Sequence, residues 1–414
     1  MPDLSWDIVV IGAGAAGLLA ASQAAERGRR TLLLEKNRKA GVKILMSGGT
    51  RCNITHATDN RGIVEAFGPP GRFLHSALAA LPVEETVAMF ESEGVATKVE
   101  ETGKVFPVSN KATDVLEALL RRLRRSGATL ALQEPVLDMV QTIDGFTLKT
   151  PLRVFNASRV VLTTGGQSYP GSGTTGDGYN FAARFGHGIV PPRPALVPIT
   201  VAAPWVPDLR GITLPDVVVR VLDDEKGLAS RRGSLLFAHF GLTGPAALDV
   251  SRVISSHVRP DTLTLELDFL PGLTEASTDD WLRKESVSSG KKQLAVVLAD
   301  YVPRRLGEAL LTLAGQPVDR RAAALSRVER ARLVQALRRL RLGVTGTLGF
   351  GKAEVTAGGV VLDEVDSRSM RSKRMPALFI AGEVLNLDGP IGGYNFQAAF
   401  STGWLAGISA AATD

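Results

Sequence analysis

A single cysteine, Cys52, is the only thiol in this 414-residue chain. It excludes an intrachain disulfide and leaves no cysteine cluster for a structural zinc. That poverty suits a reducing, cytoplasmic compartment. No metal site is expected. Unbroken apolar runs of about 18 residues are missing as well, so no membrane span is expected. The apolar start, Ile8 to Ala21, is interrupted by Gly12, Gly14 and Gly17 and lacks a basic flank, and it reads as strand, turn and helix rather than a targeting segment. Charge is nearly balanced, 48 basic against 42 acidic residues, and 44% of the chain is hydrophobic. That composition argues for a packed protein and against disorder. At this length two or three domains are expected.

The first motif present is Gly12-Ala13-Gly14-Ala15-Ala16-Gly17, between a short apolar strand (Asp7 to Ile11) and an alanine-rich helix ending near Arg27 and Gly28. In such a turn Gly12 permits the tight bend, Gly14 lets a pyrophosphate approach the backbone, and Gly17 allows close helix–strand packing. The helix N-terminus then presents unpaired N–H groups to phosphate. Glu35 closes the next strand, Thr31 to Glu35, where an acid binds ribose hydroxyls and disfavours a 2′-phosphate. Two distant glycine-rich segments extend the pattern. Lys43 to Asn53 carries Lys43, Ser47, Gly48, Gly49, Arg51, Cys52 and Asn53. Near the other end, Gly382-Glu383 leads to Gly392-Gly393-Tyr394-Asn395 and a second helix N-terminus, suited to a flavin pyrimidine that gains negative charge on reduction. Three such sites fit an extended dinucleotide, FAD, better than a simple dehydrogenase cofactor. No covalent attachment motif is evident.

These blocks resemble the HI0933-like (BaiN/RdsA-type) family of NAD(P)/FAD-dependent oxidoreductases. The resemblance runs through Ser47-Gly48-Gly49-x-Arg51-Cys52-Asn53, Gly103-Lys104-Val105-Phe106-Pro107, and Thr164-Gly165-Gly166-x-Ser168-Tyr169-Pro170 with Thr175-Gly176-Asp177-Gly178. It continues through His239-Phe240-Gly241-Leu242-Thr243-Gly244-Pro245, Ala353 to Val360, and Gly392 to Gln397. Thr50 stands where a third glycine is usual, and Lys104 where arginine is common. The resemblance implies an α/β fold: a glutathione-reductase-type Rossmann domain for FAD, built from both chain ends, with an inserted β-barrel and helical subdomain. It also implies that Gly382-Glu383 holds the ribityl side. With Ala15, Ala16, Lys36, Val136, Thr164, Gly165 and Gly166 added, this completes the expected cofactor contacts. Members resemble reductases of activated C=C bonds, in a steroid enone or in uridine of large-subunit ribosomal RNA, and amine oxidation is attributed to relatives.

The boundaries expected are 1–193 and 353–414 for the FAD domain, 194–272 for the barrel, 273–341 for a helical basic subdomain and 342–352 for a return strand. Cys52 and His239 are the candidate proton donors, Cys52 alternatively a packed residue and His239 a structural one. Tyr394 is a less favoured phenol, and Tyr169 a gate. Leu273 to Arg341 holds 14 Lys/Arg against eight Asp/Glu, an excess equal to the whole chain's charge of +6. Arg320, Arg321, Arg327, Arg330, Arg338, Arg339 and Arg341 form either a solvated helix face or a surface for RNA phosphates. The expected chemistry is hydride transfer from NAD(P)H, bound transiently, through FAD to an electron-poor substrate, small molecule or rRNA. A small-amine oxidase and a non-enzymatic RNA-binding protein are the alternatives.

Overall fold

The computed structural model describes residues 5–323 and 325–412. The chain forms two compact units, one from its two ends (up to Pro194 and from Glu354) and one from Ala195–Ala353.

In the first unit the strand Ser5–Ile11 lies between Thr31–Glu35 and Val154–Leu162, parallel to both, and Thr129–Leu132 extends the sheet parallel to Thr31–Glu35. Ile8 to Ile11 and Leu32 to Leu34 are all buried, the continuous apolar pattern of a sheet covered on both faces. The long strand Val154–Leu162 does two jobs along one edge. Its first half pairs antiparallel with Gly145–Lys149, the return arm of a hairpin from Asp138–Thr142. Its last residues, Val160 to Leu162, pair parallel with Leu378–Ile380. The C-terminal segment is thereby built into the N-terminal sheet.

The final helix, Tyr394–Ala411, packs along the first, Ala15–Glu26, through two small residues one turn apart. A Cβ at Gly403 would sit 2.3 Å from the Ala16 carbonyl oxygen, and one at Gly407 2.3 Å from that of Ala20. Arg29 and Arg159 donate to the carbonyls of Ala411 and Ala410 at the helix C-terminus, where cations oppose the dipole.

In the second unit six strands close a barrel in the order Ile199–Val201, Gly241–Thr243, Lys226–Ala238, Thr213–Asp223, Leu263–Asp268, Leu340–Thr347. Alternate residues Val217, Val219, Val221, Leu265, Leu267, Leu340, Leu342 and Val344 fill its interior with period two. Four helices, Glu275–Ser288, Leu294–Leu298, Arg304–Leu313 and Arg327–Arg338, separate its last two strands. Arg341 therefore lies on a barrel strand and not on the basic helical stretch. The alternation of Leu340, Leu342 and Val344 makes it an outward strand residue.

Candidate functional site

The glycine turn shows which of its glycines the fold itself requires. Gly12 has φ +101°, and a Cβ there would lie 2.7 Å from the Thr163 carbonyl oxygen; one at Gly17 would lie 1.8 Å from the Gly12 carbonyl oxygen. Gly14 has an ordinary φ of −86°, and a Cβ built on it meets no atom within 4 Å. The protein leaves open the face along which a diphosphate would lie. Glu35, at the end of its strand and 8% exposed, accepts from Ala13 N at 2.9 Å and from Asn37 N at 2.8 Å. Its carboxylate is tied to the turn as well as placed for a ribose. The first and final helices carry no acid in their first turns.

A second wall forms where Val154–Leu162 ends. Thr163 donates to Ile11 O, and Thr164, Gly165 and Gly166 follow, with Gly165 at φ +74°. Gly166 abuts a polar hub: Glu383 accepts from Lys43 Nζ at 2.6 Å, Ser168 Oγ at 2.9 Å and Thr356 N at 2.8 Å. Lys43 Nζ also donates to Ser168 Oγ at 2.6 Å. Three segments far apart in sequence are pinned to the carboxylate of a fourth. Three buried polar atoms of this unit have no hydrogen-bond partner among the described residues: Asn53 Oδ1, Thr164 Oγ1 and the Tyr179 hydroxyl. Burial, with Glu383 adding to it, pushes the Tyr179 phenol up, so it stays protonated.

The segment Val42–Thr50 is helical to Met46 and then kinks, with Ser47 extended (ψ 152°) and Gly48 and Gly49 left-handed. Thr50 and Cys52 follow at φ +67° and +59°. Cys52 is fully buried in the core of this unit, and burial pushes its thiol up to about 12, with a contact to Ser47 opposing. A thiol walled in this way is protonated and closed to solvent. Arg51 leaves the loop to meet Glu100 at 2.7 Å, its guanidinium 4.0 Å over the Phe106 ring.

His56, three residues past Asn53, was not anticipated. Its ring stacks on Tyr394 (centroids 4.5 Å apart, 20° between planes), and Nδ1 donates to the Gly392 carbonyl at 3.1 Å. Burial holds its pKa below the usual imidazole value, only partly offset by the Gly392 bond, and Lys104 lowers it further. Asn395 shapes the same loop, accepting from Gly389 N and donating to Gly389 O. Gly393 is indispensable there, since a Cβ would fall 2.4 Å from the Thr55 carbonyl. The sequence signal for His56 was its place at the end of the Arg51 to Asn53 block, on the short strand Thr55–His56.

The remaining candidates are placed as follows. Ala15 opens the first helix and Ala16 faces Gly382. Lys36 is held by Asp177 at 2.5 Å and Thr175 at 2.6 Å. Val136 packs half-buried against the core. His239 is exposed in the turn between two barrel strands of the other unit, its ring edge-on to Phe240. Of the seven arginines, Arg338 forks Asp268, Arg341 meets Glu225 and Glu266, Arg339 meets Glu275, Arg330 meets Asp279 and Arg320 meets Glu329. No grouping of metal-ligating side chains occurs among the described residues. No helix among them is long and apolar enough to cross a membrane.

The open face at Gly14, two helix N-termini without an acid in their first turns and unpartnered polar atoms in the wall fit the diphosphate and the polar edges of FAD. Comparison with known proteins agrees. The family model for the HI0933-like protein Rossmann domain matches residues 6–409. A ribosomal RNA dihydrouridine synthase of Escherichia coli (strain K12) is 34% identical over 402 residues, 96% of each chain. A 3-dehydro-bile acid delta(4,6)-reductase of Clostridium scindens is 30% identical over 407 residues, 98% of each. Among solved structures, a 3-ketosteroid-delta4-(5alpha)-dehydrogenase from Rhodococcus jostii aligns with a TM-score of 0.54 at 16% identity, over 99% of this chain and 98% of that one, a likeness of fold. A turn that leaves room for a diphosphate, a sheet assembled from both chain ends and a family match along nearly the whole sequence converge: the chain belongs to the HI0933-like family and is an FAD-dependent oxidoreductase.

Proposed function

We propose that this enzyme saturates an electron-poor C=C bond with electrons from NAD(P)H, and that its substrate is a uridine of large-subunit ribosomal RNA, reduced to dihydrouridine. The observation that carries the reading is the pair of full-length relatives. One is named for making dihydrouridine in ribosomal RNA and the other for reducing a bile-acid double bond. Both reactions add two hydrogens across a C=C bond conjugated to a carbonyl, so the shared scaffold serves the chemistry and the substrate differs.

Bound FAD supplies the hydride-transferring ring nitrogen. The residues of this chain do the rest. Gly14 and the first-helix N-terminus take the diphosphate, with Glu35 toward the adenosine ribose. Asn53 and Thr164 offer their unpaired oxygens to the cofactor's N–H and hydroxyl donors. The final-helix N-terminus and the loop held by Asn395 would hold the flavin pyrimidine, where negative charge grows on reduction. Lys43 and Glu383 neutralise one another at 2.6 Å and keep the Gly166 wall rigid. Cys52 acts here by packing: its thiol is sealed in the core, and the proton for the product arrives by another route. NAD(P)H docks transiently, since one glycine-turn Rossmann site is found among the described residues.

The test is anaerobic. The flavin should be reduced by NADH or NADPH and then reoxidised by ribosomal RNA from a strain lacking this gene, with one uridine gaining two hydrogens by mass spectrometry. Reoxidation by a steroid enone alone would reassign the substrate. Flavin that neither acceptor reoxidises anaerobically, and that releases peroxide once air is admitted, would overturn the reductase in favour of an oxidase.

A further inference from the structure

The basic charge of the barrel unit divides into two populations that its sequence does not separate. Around the barrel strand Leu340–Thr347 the arginines are spent. Arg338 forks Asp268 through Nε at 2.9 Å and Nη2 at 2.7 Å, with 12% of its side chain exposed. Arg341 forks Glu225 at 2.6 and 2.8 Å and reaches Glu266 at 3.2 Å. Arg339 meets Glu275 at 2.6 Å and Arg220 meets Glu266 at 3.2 Å. These groups line one recess, in which four guanidiniums face Glu225, Glu266, Asp268 and Glu275. The recess has no net charge. A phosphate drawn to Arg338 would have to break a fork that is already desolvated and leave Asp268 buried without its partner.

The other population lies elsewhere. Residues 290–294 run against 320–323, joined by an antiparallel bridge of Gln293 with Arg321, by Ala322 N donating to Lys292 O and by Ala323 N donating to Gly290 O. Leu294 and Ala322 point into the core, while Lys291, Lys292, Gln293, Arg321 and Ala323 are exposed. Arg327, also exposed, opens the next helix behind its Ser326 cap. For Lys291, Lys292, Arg321 and Arg327 no ion pair is found among the described residues. The carboxylates in these stretches are Asp319, which is exposed, and Glu329, which is engaged by Arg320 and by the Ser326 backbone N–H. With Arg320 counted, five cations stand against two carboxylates over 290–294 and 319–329.

We propose that Lys291, Lys292, Arg321 and Arg327 form the face on which the RNA backbone docks, and that the arginines at 338, 339 and 341 take no part in it. The proposal rests on the ribosomal RNA reading above and narrows it to particular side chains. Unpaired cations release counterions from a polyanion when they bind it, whereas a guanidinium already neutralised by a carboxylate releases almost none. The surface is sequence-blind, so the choice of uridine is made at the flavin.

The experiment measures binding of a large-subunit ribosomal RNA transcript between about 50 and 200 mM salt. The parent should show a steep log–log dependence. In the triple variant Lys291→Gln, Lys292→Gln, Arg321→Gln the slope should become shallower by about 2, at roughly 0.7 to 0.9 per lost phosphate contact. All three side chains are exposed, and flavin content and melting temperature should match the parent. The paired variant Glu225→Gln, Arg341→Gln should keep the parental slope. A triple variant with the parental slope, or a paired variant that flattens it, overturns this face and leaves the substrate reading standing. A parent that binds the transcript without salt dependence, and reduces no uridine in it, overturns both.

Discussion

At Thr50 a β-branched residue holds φ +67°, between two left-handed glycines and a left-handed Cys52. A non-glycine residue in that region costs roughly 1–2 kcal/mol, because Cβ crowds its own backbone. A glycine here would carry no such penalty, although it adds unfolded-state freedom worth about 0.4–1 kcal/mol. Thr50→Gly should therefore raise stability by about 0.5–1 kcal/mol, read as a higher denaturant midpoint at unchanged slope. A lower midpoint would mean that the Thr50 side chain makes a compensating contact. Cys52 gives a pH signature. Its thiol ionises near 9.0 ordinarily and near 12 when folded, so the neutral form favours the folded state. That contribution is fully present below pH 9 and is lost as pH rises from 9 toward 12. The parent should lose stability more steeply than Cys52→Ala over that interval. A thiol reagent at pH 8 should label Cys52 only as fast as the protein unfolds, and fast labelling of the native enzyme would restore it as a reactive group.

Between elements, the contact that unites the chain ends is helix on helix. Gly403 and Gly407 bring the final helix so near the first that Cβ atoms would overlap the Ala16 and Ala20 carbonyls. The buried Gln397 fixes the same helix against other segments: its Oε1 accepts from Thr55 at 2.6 Å and its Nε2 donates to Thr86 Oγ1 at 2.8 Å. With both carboxamide ends engaged, rotating the helix would orphan them. Gly403→Val should cost about 1–3 kcal/mol by overpacking and lower flavin occupancy together with stability, because it moves the helix whose N-terminus is proposed to hold the flavin. Retained occupancy with a normal melt would show that the two helices tolerate a wider spacing.

For the molecule as a whole, cofactor binding is part of the stability. At a free FAD concentration of 100 times its dissociation constant the folded state gains about 2.7 kcal/mol. Gly14→Val separates that term from the fold, since its φ of −86° suits any residue and its Cβ meets nothing within 4 Å. The variant should fold with the melting temperature of flavin-free parent, show little visible flavin absorbance, and gain nothing from added FAD. A variant as yellow as the parent would remove the diphosphate from this turn.

The turn from Gly12 to Gly17, its strand and helix and the closing Glu35 were legible because their geometry depends on neighbours within about 30 residues. The stretch Val217 to Leu222 was legible as β-rich, but not which residues face inward: Val217, Val219 and Val221 are buried and the equally apolar Val218 between them is not, a choice made by strand pairing. Local pattern could not show that Lys43, Ser168, Thr356 and Glu383 share one carboxylate, or that His56 stacks on Tyr394, since these partners lie up to 340 residues apart. Nor could it sort the arginines. Composition counts each charge alone, and whether a guanidinium is free or forked is decided by which carboxylate the barrel brings opposite it. The sequence determined the cofactor and the family; folding decided which cations stand opposite a carboxylate and which do not, because a charge acts through the net field of its neighbours.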